Sequence, residues 1–190
     1  MSGNQHNVVS GADLGAGAET HKVFNQSSAL ENYNLYQCDI PLQESLRHYG
    51  FVDATDVNDY GARCGRAEVI ALGFDANENK PQLDTHDRFG HRVDLVKFHP
   101  AYHQLMDMAL SEGLHSGPWQ EGAKNGHLKR AALSYMQSQI DAGHGCPLTM
   151  TFASVPTLKL SSDLAATWLP KILSNAYQPD NIPYLSLIHI

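Results

Sequence analysis

Cysteine is scarce in this sequence: Cys38, Cys64 and Cys146 are 3 residues of 190, odd in number and widely spaced. They form no Cys-x-x-Cys pair and no disulfide framework, so a reducing compartment, the cytoplasm, is the simpler setting. Positive charge is also short, with 13 Lys and Arg against 20 Asp and Glu for a net charge of −7. A dedicated nucleic-acid module would show a basic excess or a concentrated basic face. No segment approaches the roughly 20 apolar residues of a membrane span, so no membrane partner is expected. Residues 1–18 are mostly Gly, Ala, Ser and Asn, without a basic start or an apolar core. They read as a disordered tail and not as a secretory leader. Phosphate-binding glycine loops, dinucleotide fingerprints and internal repeats are absent.

What is present is a helical pattern in a chain with an ordinary 42% hydrophobic content. Residues 20–36 read as an ordered, extended arm that buries its aromatics one at a time. Asp39 caps a helix with Pro41 in its first turn, Leu42, Leu46 and Tyr49 share a face, and Gly50 stops it. A second helical region spans 53–72 and stops at Gly73; Gly61 and Gly65 weaken it, which leaves open one helix or two shorter ones. Residues 75–96 read as a long polar surface connection, with a short extended piece at 92–98. His99-Pro100 starts a helix whose apolar stripe is Tyr102, Leu105, Met106, Ala109 and Leu110, with Gly113 as its stop. Asn125 caps the next helix, with Leu128, Ala131, Ala132, Tyr135, Met136 and Ile140 inward and Gly143 at its end. The segment 147–155 is apolar nearly all round, which requires burial on most sides, and Pro156 predicts a kink or restart. Asp163 caps a last helix with Leu164, Trp168 and Ile172 inward and Pro170 inside it. With no strand ladder in the pattern, the class is all-α, an irregular helical bundle.

Candidate chemistry is thin. Among 11 histidines, His99 and His103 stand at i, i+4 with His86 and His91 upstream. No cysteine or carboxylate joins them at a ligand spacing, and His99 is explained as a helix start. Cys146 near His144 is either a thiol with a pKa lowered by a helix N-terminus or a small buried apolar residue. Lys124, Lys129 and Arg130 form a small basic cluster, most simply a solvated helix face.

Three blocks carry a resemblance. Thr20-His21-Lys22-Val23-Phe24-Asn25-Gln26 with Asn34-Leu35-Tyr36 and Asp39, then Lys97-Phe98-His99-Pro100-Ala101-Tyr102-His103-Gln104-Leu105-Met106, then Ala142-Gly143 with Cys146-Pro147-Leu148-Thr149-Met150-Thr151-Phe152-Ala153, occur in that order. The chain resembles the AidB-type acyl-CoA dehydrogenases, the alkylation-response branch of that superfamily, across roughly 20–181. The resemblance implies the N-terminal helical domain of the acyl-CoA dehydrogenase fold at 19–184. It implies a parent that holds FAD, oxidises acyl-CoA thioesters between the α- and β-carbons, assembles as a homotetramer and is associated with DNA. The alternatives are a DNA-protection protein with a structural flavin and a helical interaction module without catalysis. The family's flavin-binding segment and catalytic glutamate have no counterpart here, so no catalytic, cofactor-binding or metal-binding residue is assigned. The chain alone is expected to be inactive and to bind no FAD. Met150, Thr151 and Phe152 are the residues expected to line the acyl or flavin cavity. Residues 185–190, Leu-Ser-Leu-Ile-His-Ile, read as a non-native, adapter-derived tail.

Overall fold

The computed structural model describes residues 24–179. The chain divides into two compact units at Leu30/Glu31. Of the first unit, residues 24–30 are described and contain no helix or strand. The tails assigned to 1–18 and 185–190 lie outside the described residues.

The described residues of the second unit form eight α-helices and one hairpin in the order α1 (Leu35–Cys38), α2 (Ile40–His48), α3 (Thr55–Cys64), α4 (Ala67–Glu78), β1 (Gln82–His86), β2 (Arg92–Lys97), α5 (Pro100–Ser111), α6 (Gly126–Gln137), α7 (Gly145–Leu158) and α8 (Ser162–Ile172). A short 3-10 turn, Gly117–Trp119, precedes α6. The expected all-α class holds, with the hairpin as a small addition.

Local chemistry sets many of the boundaries. The Asp39 carboxylate accepts the Leu42 N–H at 2.8 Å and caps α2, and Pro41 occupies the first turn, where its missing N–H costs nothing. Gly50 follows with φ of +79°, a conformation that suits glycine. His99 Nδ1 accepts the Ala101 N–H at 3.3 Å and caps α5, and Gly113 closes the far end in the left-handed region.

Other expectations are corrected. The end of the supposed arm forms a turn of helix, α1, because the Asn34 side chain accepts the N–H groups of Tyr36 and Gln37. Gly73 does not stop a helix. It is buried within α4, which runs on to Glu78. The connection after α4 is an antiparallel hairpin that pairs Leu83 with Val96 and Asp84 with Leu95. Alternation was legible only on the β2 side, because β1 carries a single large apolar residue, Leu83. Asn125 does stand at the head of α6, but its φ of +56° leaves its side chain making no capping bond. That helix ends at Gln137 rather than Gly143, and Tyr135 faces outward. Ser161, not Asp163, precedes the first turn of α8, and Leu164 is 49% exposed.

The core gathers Val57, Tyr60 and Cys64 of α3, Met106, Ala109 and Leu110 of α5, and Ala132, Leu133 and Met136 of α6. Leu35, Leu46 and Leu148 close it from α1, α2 and α7. This apolar burial is the main source of stability for the unit. Helix α7 differs from expectation here. Pro147, Leu148, Thr151 and Val155 are buried, but Met150, Ala153 and Pro156 face outward. Among the described residues one face of α7, not most of its circumference, is covered.

Candidate functional site

Helix α7 borders two distinct environments, a buried polar node with an adjoining cleft at its N-terminus and an aromatic stack along its middle. The node begins with His144, fully buried at the head of α7. Its Nδ1 hydrogen-bonds the Asp141 carboxylate at 2.8 Å, and its Nε2 stands 2.7 Å from Gln137 Nε2. The Gln137 amide nitrogen also donates to the Leu105 carbonyl at 3.3 Å, while the Tyr60 hydroxyl donates to Gln137 Oε1. An amide nitrogen can only donate, so His144 Nε2 must accept and Nδ1 must carry the proton. The imidazole is therefore neutral. Burial pushes its pKa below the ordinary 6.5, against the pull of Asp141. Burial alone would raise Asp141, but hydrogen bonds from His144 and Gly143 outweigh it and hold that carboxyl below its usual range. The node ties α3, α5, α6 and α7 together with every hydrogen-bonding position of its histidine in use. A group so enclosed serves structure and not proton transfer with a bound molecule.

Beside it lies a cleft of about 350 Å³ between the end of α4, the start of α5 and the start of α7. Phe98 and Tyr102 form its aromatic wall, with rings stacked at 4.3 Å, and Pro81 and Pro147 add apolar surface. Asn77, Asn79, Lys80, His99, Asp141 and Cys146 supply the polar lining. Burial pushes the Tyr102 hydroxyl up to about 12. Cys146 is an exposed free thiol, which removes the reading of it as a small buried apolar residue. A smaller cleft of about 110 Å³ lies on the other side of Asp141, lined by Leu114, His144 and Leu148 among others.

Met150, Thr151 and Phe152 line neither cleft. Thr151 is buried, and its hydroxyl donates to the Pro147 carbonyl at 2.8 Å, a bond internal to α7. Met150 is 48% exposed. Phe152 is half-buried between other elements. Its ring stacks on Trp119 at 4.9 Å, and the Arg130 guanidinium lies 3.9 Å from its centroid on α6. Arg130 Nε also donates to the Leu114 carbonyl at 2.8 Å. The basic cluster is thus not a simple solvated face: Arg130 is a packing residue, Lys129 pairs with Asp56 at 2.5 Å, and Lys124 alone is exposed without being drawn into the stack. Nothing in the sequence flagged the Trp119–Phe152–Arg130 arrangement, whose members are 33 and 22 positions from one another.

The histidines go separate ways. His99 caps α5, His91 bonds Asp87 at 2.9 Å, and His103 Nδ1 meets the Tyr177 hydroxyl at 2.5 Å. Among the described residues no group of three or more His, Cys, Asp or Glu is placed to hold a metal ion. No helix among them is long and apolar enough to cross a membrane.

Residues 25–179 match the family of the adaptive response protein AidB N-terminal domain. The chain belongs to the AidB family. Over 168 residues it is 38% identical to a protein of Escherichia coli (strain K12) named "Putative acyl-CoA dehydrogenase AidB", covering 87% of this chain and 31% of that protein. Two solved structures share the fold. "Bd2924 apo-form" gives a TM-score of 0.69 at 24% identity, over 79% of this chain and 31% of its own. Caenorhabditis elegans ACDH-11 in complex with C11-CoA gives 0.67 at 23% identity, over 83% of this chain and 28% of its own. The chain thus spans about a third of the length of the AidB relative it matches. The AidB-type resemblance and the helical N-terminal-domain fold inferred from the sequence both hold.

Toward the charge of a flavin dinucleotide's phosphates the larger cleft presents one lysine, Lys80, beside the starts of α5 and α7.

Proposed function

We propose that this chain forms the N-terminal helical domain of an FAD-dependent, acyl-CoA dehydrogenase-like oxidoreductase of the AidB, alkylation-response type. The 38% identity to Escherichia coli AidB across most of the chain carries the reading. The acyl-CoA complex of the C. elegans structure, which shares the fold, supports an acyl thioester as the class of substrate. In such an enzyme FAD supplies the hydride acceptor for oxidation across the α- and β-carbons. The flavin and the carboxylate base belong, on this proposal, to segments beyond the residues described. On this proposal the domain contributes a wall, with Met150 on the open face of α7 turned to the cavity and Thr151 and Phe152, packed within the domain, supporting it from behind. The working protein is a cytoplasmic homotetramer, and this 190-residue chain alone is inactive and binds no FAD.

Sequencing the locus past Pro183 and expressing its whole reading frame tests this. The expected result is a yellow protein whose flavin absorbance bleaches on anaerobic addition of acyl-CoA. A full-length product that takes up no FAD would overturn the reading, as would a 190-residue chain that does.

A second reading, a DNA-associated protection protein with a structural flavin, is favoured by the adaptive-response family match. It predicts FAD binding without bleaching by acyl-CoA, together with DNA binding that weakens steeply as salt is raised.

A further inference from the structure

Helix α7 contains a proline and does not break. It runs from Gly145 to Leu158 through Pro156, although proline inside a helix removes the N–H that would bond the carbonyl four residues earlier. For Pro156 that carbonyl belongs to Phe152. The Phe152 side chain is packed under Trp119 and Arg130, and a carbonyl left unpaired in such a place carries the full desolvation cost. The partner comes from outside the helix: the Trp119 indole N–H donates to the Phe152 carbonyl at 3.0 Å.

Trp119 also touches α7 on both sides of the proline. Its ring stacks on Phe152 with an interplanar angle of 28°, and the Lys159 ammonium lies 5.7 Å from its centroid. His127 of α6 sets its edge against both rings, at 5.3 Å and 5.8 Å. The backbone of the 3-10 turn fixes the residue, with Trp119 N–H donating to the Ser116 carbonyl at 2.9 Å. Pro170 of α8 makes the contrast. The residue four before it, Ala166, is exposed, so water can meet its carbonyl.

We propose that Trp119 is a splint across the proline of α7. Its indole replaces the hydrogen bond that Pro156 cannot make, so α7 stays continuous only while the turn Gly117–Trp119 is docked. Withdrawal of that turn frees α7 to bend at Pro156 and to carry Lys159 and the attached α8 with it. The turn is thereby a conformational control point on the helix whose open face carries Met150.

A double-mutant cycle tests this on the 190-residue chain. Trp119→Phe keeps a ring against Phe152 but deletes the N–H. Pro156→Ala, at an exposed position, restores the backbone donor. Urea titrations should show Trp119→Phe lowering the folding equilibrium constant about tenfold in the native background and less than about threefold in the Pro156→Ala background. Amide exchange at Thr157, Leu158 and Lys159 should rise in Trp119→Phe and return to the native rate in the double variant. Equal losses in both backgrounds, or unchanged exchange beyond Pro156, would overturn the proposal. If Trp119→Phe does not fold, exchange of the Trp119 indole N–H decides the matter in the other two proteins. It should be faster in Pro156→Ala than in the native chain, with Trp168 as reference, and equal rates would refute the splint.

Discussion

Gly73 of α4 lies so close to the Ile140 carbonyl that a β-carbon on it would stand 2.2 Å from that oxygen. Helix α4 and the turn after α6 therefore meet backbone to backbone. Alanine normally gains up to about 1 kcal/mol over glycine within a helix. Here Gly73→Ala should instead destabilise the domain by roughly 1–3 kcal/mol, the usual cost of forcing atoms into a filled site. A urea midpoint equal to or above the native one would contradict this contact.

Gly65 makes the same kind of approach on the other flank, where a β-carbon would fall 1.6 Å from the Tyr33 carbonyl oxygen. That carbonyl belongs to the residue whose own N–H donates to the Gly65 carbonyl at 3.3 Å. Gly65→Ala should therefore separate the Tyr33 segment from the end of α3, and Leu35 with it. The measurement is limited proteolysis, with new cleavage near Tyr33 in the variant and none in the native chain. Identical digestion patterns would count against it.

The three thiols should differ in reactivity. Cys38 and Cys146 are exposed and Cys64 is buried, with burial pushing its pKa up to about 12. Since the thiolate is the reactive form, a maleimide should modify two cysteines in the folded chain and the third only after denaturant is added. Rapid modification of Cys64 under native conditions, read by mass spectrometry of peptides, would show that the α3 core is open.

Stability should decline in mild acid. Burial lowers the pKa of His144 and His115 in the folded state below the ordinary 6.5. Above that value both folded and unfolded forms are neutral, and the neutral node is intact. As pH falls below about 6.5 the unfolded chain takes up protons that the folded chain still refuses, so folding weakens until the folded-state pKa values are passed. Protonated His144 would also set a donor against the Gln137 amide nitrogen, 2.7 Å away. Urea midpoints should therefore be lower at pH 5.5 than at pH 7.5, and a flat or rising trend would sink the assignment of a neutral His144.

The cap of α5 rests on His99, whose Nδ1 accepts the Ala101 N–H. His99→Ala should cost about 1 kcal/mol, and His99→Asp should recover it, because both native and Asp side chains present an acceptor to the first turn. Equal stability of all three proteins would show that the cap contributes nothing.

The helices and most of their starts were legible in the sequence because their causes are local. Asp39 with Pro41, His99 with Pro100, and the stripe Leu105, Met106, Ala109, Leu110 act within one or two turns, and these elements stand where the spacing put them. Family membership was legible too, since it was carried by blocks such as the one ending in Met106, which are contiguous strings of residues. What only the tertiary structure decided depends on atoms far apart along the chain. Gly73 reads as a helix stop until Ile140 is seen against it, and Pro156 reads as a break until Trp119 supplies the missing donor. The polar node shares this character: His144 and Asp141 are neighbours in sequence, but Gln137 and Tyr60, which fix the proton on Nδ1, are 77 residues apart. A backbone group left wanting by its own helix can be satisfied by any element that packs there, and local pattern does not say which one will.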